Sequence, residues 1–577
     1  MKSDRALSAP TTAFEKSSVR NLASAAAGPA KLLWVMAAGS LIVGLVTWAV
    51  GAGYVALWCF GISAVAFALV LPFPQAVVSP LFLGLVGWLV DMLPFVILAG
   101  WTAVVLRWTI GLLRERRMPR GGKWVLLPLG LMVWTTFGAF SVPTLEFRHF
   151  LLLLGVQVVT SGVLLVVVDS LSTFEDRLQI LSALIVFVLL LSVGVLLEFV
   201  GVPVQELQNE EVGARIEGAY GLDAFPNNLE MIKYGLSSKA GAREFRNKMN
   251  AFAKDRPELP EYEVFLPRFR AFENHIVVRF AGSARPLESE LQRVNVELIY
   301  DNVGLTPANT VPRMRSFARN SLTYAGICVV VFPVAFFLAW RGEGRRRLLG
   351  RLGIAACLFG AGFSLVRGAW VAVLVGIAYL LVDGLISWRQ KTEVVIACLV
   401  GALALTGFFL VRYEVDPLSA RALGKGSVTT RADVYRDTVE SLNGLPIIFG
   451  FGTERPRTEG GVSHVAGRYI PDAGTHSTFL SYLFRTGVPG AIGISALYVL
   501  ALLHARATAR VRTGDERVFA TLLTAALVIA AAHAVILNLF TEPIYTLSVS
   551  LLIGMAMAGA TGLGSSVLPW RTRTADR

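Results

Sequence analysis

Runs of about 18–25 apolar residues recur along this chain, each long enough to cross a hydrocarbon layer of roughly 30 Å as an α-helix. They fall at 32–50, 53–71, 75–93, 94–113, 124–142, 148–170, 178–200, 319–340, 347–365, 368–387, 393–411, 479–504, 518–540 and 543–563. Pro94 separates the third from the fourth. A soluble core has no use for so many. In lipid each backbone N–H and C=O must find its partner inside the protein, so isolated runs of this kind fold as helices. The composition agrees: 54% of the 577 residues are hydrophobic and 16% charged, with a mean hydropathy of +0.61. The expected fold class is an all-α polytopic membrane protein of about 12–14 transmembrane helices, with two long loops facing outward.

Basic residues set the expected orientation, because short cytoplasmic loops collect Lys and Arg. Arg114, Arg116, Arg117, Arg120 and Lys123 crowd one loop, and Arg341, Arg345, Arg346, Arg347 and Arg351 a second. Arg506, Arg510, Arg512 and Arg517 crowd a third, and Arg389 and Lys391 a fourth. With this span count all four lie on the side of both termini, which is read as the cytoplasm. The net charge of +13 is then a topology signal, and a nucleic-acid partner is not expected. Residues 1–31 read as a cytoplasmic tail and 564–577 as another, with an uncleaved first helix between tail and bundle. Helices are expected over 32–200, 319–411 and 479–563. Cys59, Cys328, Cys357 and Cys398 lie in apolar runs without CxxC spacing, which implies inert thiols and neither a disulfide framework nor a zinc site. Gly39, Gly44 and Gly84 read as close helix contacts.

Two long polar segments remain on the opposite side, 202–318 and 412–478. The first reads as a cap over the bundle or a lid that binds acceptor or glycan. Within it, 228–254 has a helical pattern with Leu229, Ile232, Leu236, Phe245, Met249 and Phe252 as apolar contacts, while 272–280 and 294–299 have strand content. Its end carries Arg315, Arg319 and Asn320 at the mouth of a span, either as phosphate contacts or as interfacial anchors; Arg215–Asn227 holds similar residue types.

The chemistry-bearing residues gather at this outward end. Arg367 sits in Phe363-Ser364-Leu365-Val366-Arg367-Gly368-Ala369-Trp370, between two apolar runs, where a guanidinium is costly without an anionic partner. A structural ion pair or snorkelling to the interface would also place it there. Arg431 follows Thr429-Thr430, which can cap a short helix, and precedes Tyr435. Asp433 and Asp437, spaced i, i+4, read as charge partners for Arg431 and Arg436 rather than as a metal pair. Phe449-Gly450-Phe451-Gly452 is a close turn. Last comes Thr475-His476-Ser477, followed after a fixed spacer by Gly487-Val488-Pro489-Gly490, a turn that either begins or interrupts the next span. One potential base and two fixed cations make a site suited to attack on a diphosphate-linked donor.

The three separated elements, Arg367-Gly368, Arg431 with Tyr435, and His476-Ser477 with its Gly-x-x-Gly, resemble the O-antigen ligase and polysaccharide polymerase superfamily of membrane glycosyltransferases. The chain departs from the family's Ser-Arg-Gly in having Val366, with Ser364 two positions earlier. The resemblance implies a GT-C-like bundle in a bacterial inner membrane, with the site facing outward. It also implies a polyprenyl-diphosphate-linked glycan as donor, and a lipid, glycan or protein as acceptor. Catalytic roles are implied for His476, Arg431 and Arg367, and substrate contacts for Arg315, Arg319, Asn320, Tyr435 and Ser477. No cofactor or metal is expected, and inversion would follow from a single in-line attack. The competing reading is a lipid-linked glycan flippase, which would place charges in several spans to line a passage. Here the intraspan candidates are few: Asp91 and Glu198, with Arg107, Asp169 and Asp383 near span ends.

Overall fold

In a computed structural model of the chain, the residues described are 32–47, 53–89, 93–119, 126–140, 161–171, 173–199, 231–235, 239–259, 261–265, 275–280, 298–299, 316–318, 321–364, 366–413, 446–450, 463–465, 468–470, 477–537 and 542–560, with isolated positions between them, among them Tyr435 and Arg436. Each apolar run holds a helix: α1 (Leu32–Thr47), α2 (Gly53–Val70), α3 (Phe73–Leu89), α4 (Leu93–Glu115), α5 (Leu126–Phe140), α6 (Ser161–Ser170) and α7 (Phe174–Phe199). After the first long loop come α8 (Ser321–Arg341), α9 (Gly344–Phe363), α10 (Arg367–Val382) and α11 (Trp388–Tyr413). The second loop leads to α12 (Thr478–Val511), α13 (Gly514–Ile536) and α14 (Pro543–Ala560). Among the described residues, seven helices are long and apolar enough to cross a membrane: parts of α4, α7 and α11, and the whole of α8, α12, α13 and α14. Pro94 takes the second position of α4, where its missing N–H costs no helical bond.

Burial sorts the helices into layers. Every residue of α8 from Thr323 to Leu338 is buried, and α14 is buried from Ile544 to Ala560. A helix that is apolar all round and buried all round is the core of a bundle. Around them pack α7, α9, α10 and α13. The outer helices turn side chains such as Val35, Leu399 and Leu403 to the surroundings, as lipid-facing helices do. Gly44 and Gly84 are close contacts, since a Cβ there would press on Phe60 and Ile97; Gly39 faces open space instead, so its expected packing role does not hold. The four cysteines are free thiols, with Cys328 and Cys357 buried.

One end of the bundle carries the basic segments, tied together by ion pairs. Arg117 grips buried Asp169 with two hydrogen bonds, 2.7 and 2.9 Å long, and that carboxylate also accepts from the Trp108 indole at 2.7 Å. The contact raises the Arg117 pKa further above its ordinary value. Arg506 pairs with Asp383, Arg346 with Glu175, and Arg341 lies 3.4 Å from Asp515. Arg107 donates to the Ala68 and Leu71 carbonyls at the end of α2. Arg506 and Arg510 lie on the last turns of α12, and Arg345, Arg346, Arg347 and Arg351 on the first turns of α9. The expected loops are therefore helix ends that run beyond the apolar stretch. Asp91 lies outside the described residues.

The two long segments leave from the other end. In the first, β1 (Met231–Gly235), β2 (Tyr262–Phe265), β3 (His275–Phe280) and β4 (Leu298–Ile299) form an antiparallel sheet in the order β2-β3-β1-β4. The expected helix over 228–254 is thus corrected: its start is strand β1, and the helix is Lys239–Lys254. Met249 on that helix is fully buried, and Asn250 accepts from the Tyr262 hydroxyl at 2.9 Å. In the second segment β5 (Ser463–Val465) and β6 (Arg468–Ile470) form a hairpin, and β4 touches β6.

Candidate functional site

A helix leaves its last carbonyls without intrahelical partners, and the last turn of α13 shows where such groups can go. The Leu537 amide donates to the His533 carbonyl at 2.8 Å. The next carbonyls are taken by side chains from elsewhere. Ser477 Oγ donates to Ala534 at 3.4 Å, the Tyr435 hydroxyl to Val535 at 3.4 Å, and Thr478 Oγ1 to Leu537 at 3.1 Å. From a third side α10 closes in at Gly368, where a Cβ would stand 3.0 Å from Ile536 and 3.1 Å from Leu537. Segments near 368, 435 and 477 in sequence therefore meet on one helical turn.

Local chemistry explains how each segment is set. Ser477 is the N-cap of α12, extended in backbone and accepting from the Leu480 amide, which satisfies one orphan donor. It is buried. Tyr435 is half-buried, and its ring spans from the start of the second loop to α13. Val366 caps α10, so Arg367 is the first helical residue, half-buried. Arg367 makes no ion pair with a described residue. Ser364, the candidate replacement for the family's serine, donates to the Ala361 carbonyl at 3.0 Å. Trp370 donates to the same carbonyl at 2.9 Å. Both fasten the α9–α10 turn, and the Ser364 hydroxyl is directed at its own helix.

Ten residues beyond Ser477 the helix breaks. Gly487 has φ 68° and ψ −171° inside α12, a region open to glycine alone. The sequence left open whether this turn begins or interrupts the span, and it interrupts it. The short helix Pro446–Phe449 and Gly450 pack into the break: a Cβ on Gly487 would strike the Ile447 and Ile448 carbonyls, and one on Gly450 (φ 72°) the backbone of Arg485 and Thr486. Trp134 of α5 donates to the Thr486 carbonyl at 2.9 Å and stacks on Phe449, with ring centroids 5.4 Å apart. The two glycine motifs, about 40 residues apart in the sequence, are two sides of one backbone contact.

His476, Arg431, Arg315, Arg319 and Asn320 lie outside the described residues, as do Asp433 and Asp437. Next to Arg315, Ser316 donates to the Leu191 carbonyl of α7, and Gly194 leaves room for Ser316 and Phe317. Among the described residues no three His, Cys, Asp or Glu side chains gather as a metal site.

The structure adds a residue that the motifs do not include. His533 is fully buried in the same last stretch of α13; its Nδ1 lies 3.2 Å from the Tyr545 hydroxyl of α14, and its Nε2 has no hydrogen-bond partner among the described residues. Its one trace in the sequence is an imidazole inside an apolar run, which packing and use produce alike.

Arg367, Arg431, Tyr435, His476, Ser477 and the two glycine motifs fall within one stretch that matches a known family model. No curated protein matches the chain. Residues 352–495, about a quarter of the chain, match the family model described as O-antigen ligase, a match that supports the resemblance to the O-antigen ligase and polysaccharide polymerase superfamily.

Proposed function

We propose that this protein is a metal-independent, inverting glycosyltransferase of the inner membrane, moving a glycan from a polyprenyl-diphosphate carrier to an acceptor hydroxyl on the outer face. The observation that carries the reading is the meeting of the segments at 368, 435 and 477–478 on residues 534–537 of α13. Those segments bear Arg367, Arg431 and His476. Beyond the cell there is no nucleotide sugar, so the glycan arrives already activated on its lipid. Arg367 and Arg431 hold the two phosphates, whose charge grows as the glycosidic bond breaks, and guanidinium does so at any physiological pH. Neutral imidazole at His476 takes the proton of the attacking hydroxyl. Ser477 and Tyr435 hold the site's two loop segments on α13, while Arg315, Arg319 and Asn320 supply further donor contacts. The basic end faces the cytoplasm by the positive-inside rule, which turns the loop-bearing end and the site outward. Attack from the face opposite the diphosphate inverts the anomeric carbon.

The test is the lipid-linked glycan profile of a strain lacking the protein, complemented with wild type, His476→Ala or Arg431→Ala. Accumulated carrier-linked glycan cleared by wild type alone is the expected result. Long chains on the carrier would mark a ligase, and single repeat units a polymerase. Clearance by both folded variants at the wild-type rate removes the catalytic assignment. Turnover in membranes treated with chelator is expected to be undiminished; loss that Mg²⁺ or Mn²⁺ restores overturns metal independence.

A further inference from the structure

His533 belongs to none of the motifs, yet it occupies the turn on which they converge. One residue after it stands the carbonyl that accepts from Ser477, two after it the one that accepts from Tyr435, and four after it the one that accepts from Thr478. Its helix face is the seam with α10. Ile529, one turn toward the basic end, fills the space at Gly376, and Ile536, one turn toward the loop end, fills that at Gly368. Its polar contact is with α14, through Nδ1 and the Tyr545 hydroxyl at 3.2 Å, with both side chains fully buried.

The other ring nitrogen is the informative one. Nε2 is buried without a partner among the described residues, and a buried polar atom in that state costs free energy that an apolar side chain would not. Leucine at 533 together with phenylalanine at 545 would fill the seam with no buried polar atom left over. Imidazole is therefore kept for the bond it does make. That bond links α13 to α14 at the height of the site, and a hydrogen bond fixes rotation and height where apolar packing alone allows sliding.

We propose that His533 is a positioning residue of the transferase site: its hydrogen bond to Tyr545 sets the last turn of α13, so that the Ala534, Val535 and Leu537 carbonyls meet Ser477, Tyr435 and Thr478. The inference rests on the glycosyltransferase reading above. It differs from a packing role in predicting that stability and turnover part company. Removing the orphaned nitrogen relieves a penalty, while removing the Tyr545 bond loosens the site.

The experiment adds purified full-length variants to membranes from a strain lacking the protein and follows consumption of the accumulated carrier-linked glycan, alongside each variant's thermal midpoint. The double variant His533→Leu/Tyr545→Phe, which leaves neither a buried nitrogen nor a buried hydroxyl behind, is expected to keep or raise the midpoint and to lower turnover about tenfold, as loss of one well-placed hydrogen bond would. His533→Leu and Tyr545→Phe alone are each expected to lower turnover to a similar degree, and the double variant no further, because all three remove the same bond. His533→Asn, which keeps a polar atom near the position of Nδ1, is expected to recover most of the loss, whereas His533→Gln, whose amide sits nearer Nε2, is not. Full turnover in the double variant overturns the inference, as does a fall in its turnover matched by a fall in its midpoint. Recovery by Gln and not by Asn also overturns it, since Nε2 would then be the functional atom. A wild-type protein that consumes nothing refutes the parent reading, and this inference with it.

Discussion

Arg367 begins α10 half-buried and without an ion pair among the described residues, which is an expensive state for a guanidinium near hydrocarbon unless an anion arrives. A diphosphate is such an anion, and a pair of its non-bridging oxygens matches the planar fork of arginine better than the single point of lysine. Arg367→Lys is therefore expected to keep the charge and still lose roughly tenfold or more in transfer, with Arg367→Ala lower again, while the thermal midpoint holds near wild type. Turnover of carrier-linked glycan and thermal unfolding, measured on the same preparations, check it. Lysine activity equal to arginine would mean that charge alone is used, and a collapsed midpoint would mean an interfacial anchor. Arg367 was legible in the sequence because a charge stands out inside an apolar run. His533 was not, since a lone imidazole among alanines has the same composition whether it is packed or used. Its neighbours decide that, and they lie on other helices.

At the scale of elements, the interruption of α12 is the feature that most depends on a few residues. Gly487 adopts a conformation closed to side chains, and its missing Cβ leaves space for the Ile447 and Ile448 carbonyls. Gly487→Ala adds backbone strain to a steric collision and is expected to cost roughly 3 kcal/mol or more. A protein that unfolds at the wild-type midpoint would show that the break is tolerant. The freed Thr486 carbonyl has a different need, met by the Trp134 indole at 2.9 Å. Trp134→Phe keeps an aromatic ring against Phe449 and removes the donor, so a loss of about 1–3 kcal/mol is expected, the penalty of a buried carbonyl left unmade. An unchanged midpoint would mean that water or another donor reaches it. Gly-Val-Pro-Gly announced a turn in the sequence, but apolar residues on both sides left its place open. The error at 228–254 has a related cause. Met231–Gly235 carries a pattern compatible with a helix, yet pairing with His275–Arg279 makes it a strand, and pairing with residues 40 or more positions away is not written in a local window.

For the whole molecule, the ion pairs at the basic end bear on the choice between the proposed transferase and a transporter. At the basic end charges are spent on one another: buried Asp169 on Arg117 and buried Asp383 on Arg506, exposed Glu175 on Arg346 and exposed Asp515 on Arg341. A flippase must open each end in turn, and opening this one would break those pairs together. A transferase whose donor and acceptor both reach the loop-bearing end has no such demand. Arg341 ends α8 and Asp515 begins α13, with their charged atoms 3.4 Å apart, so cysteines at these two positions can be joined by a short thiol cross-linker. The pair is largely exposed, and removing an exposed ion pair costs only about 0–1 kcal/mol. The uncross-linked double variant is therefore expected to behave as wild type. Once joined, α8 and α13 cannot separate at the basic end, although α13 can still present its last turn to the two loop segments. Transfer of carrier-linked glycan is expected to continue at the rate seen before cross-linking. Arrest on cross-linking, reversed by a cleavable linker, would mean that the basic end moves in the cycle. That is the behaviour of a passage through the membrane and not of a site at one end of the bundle.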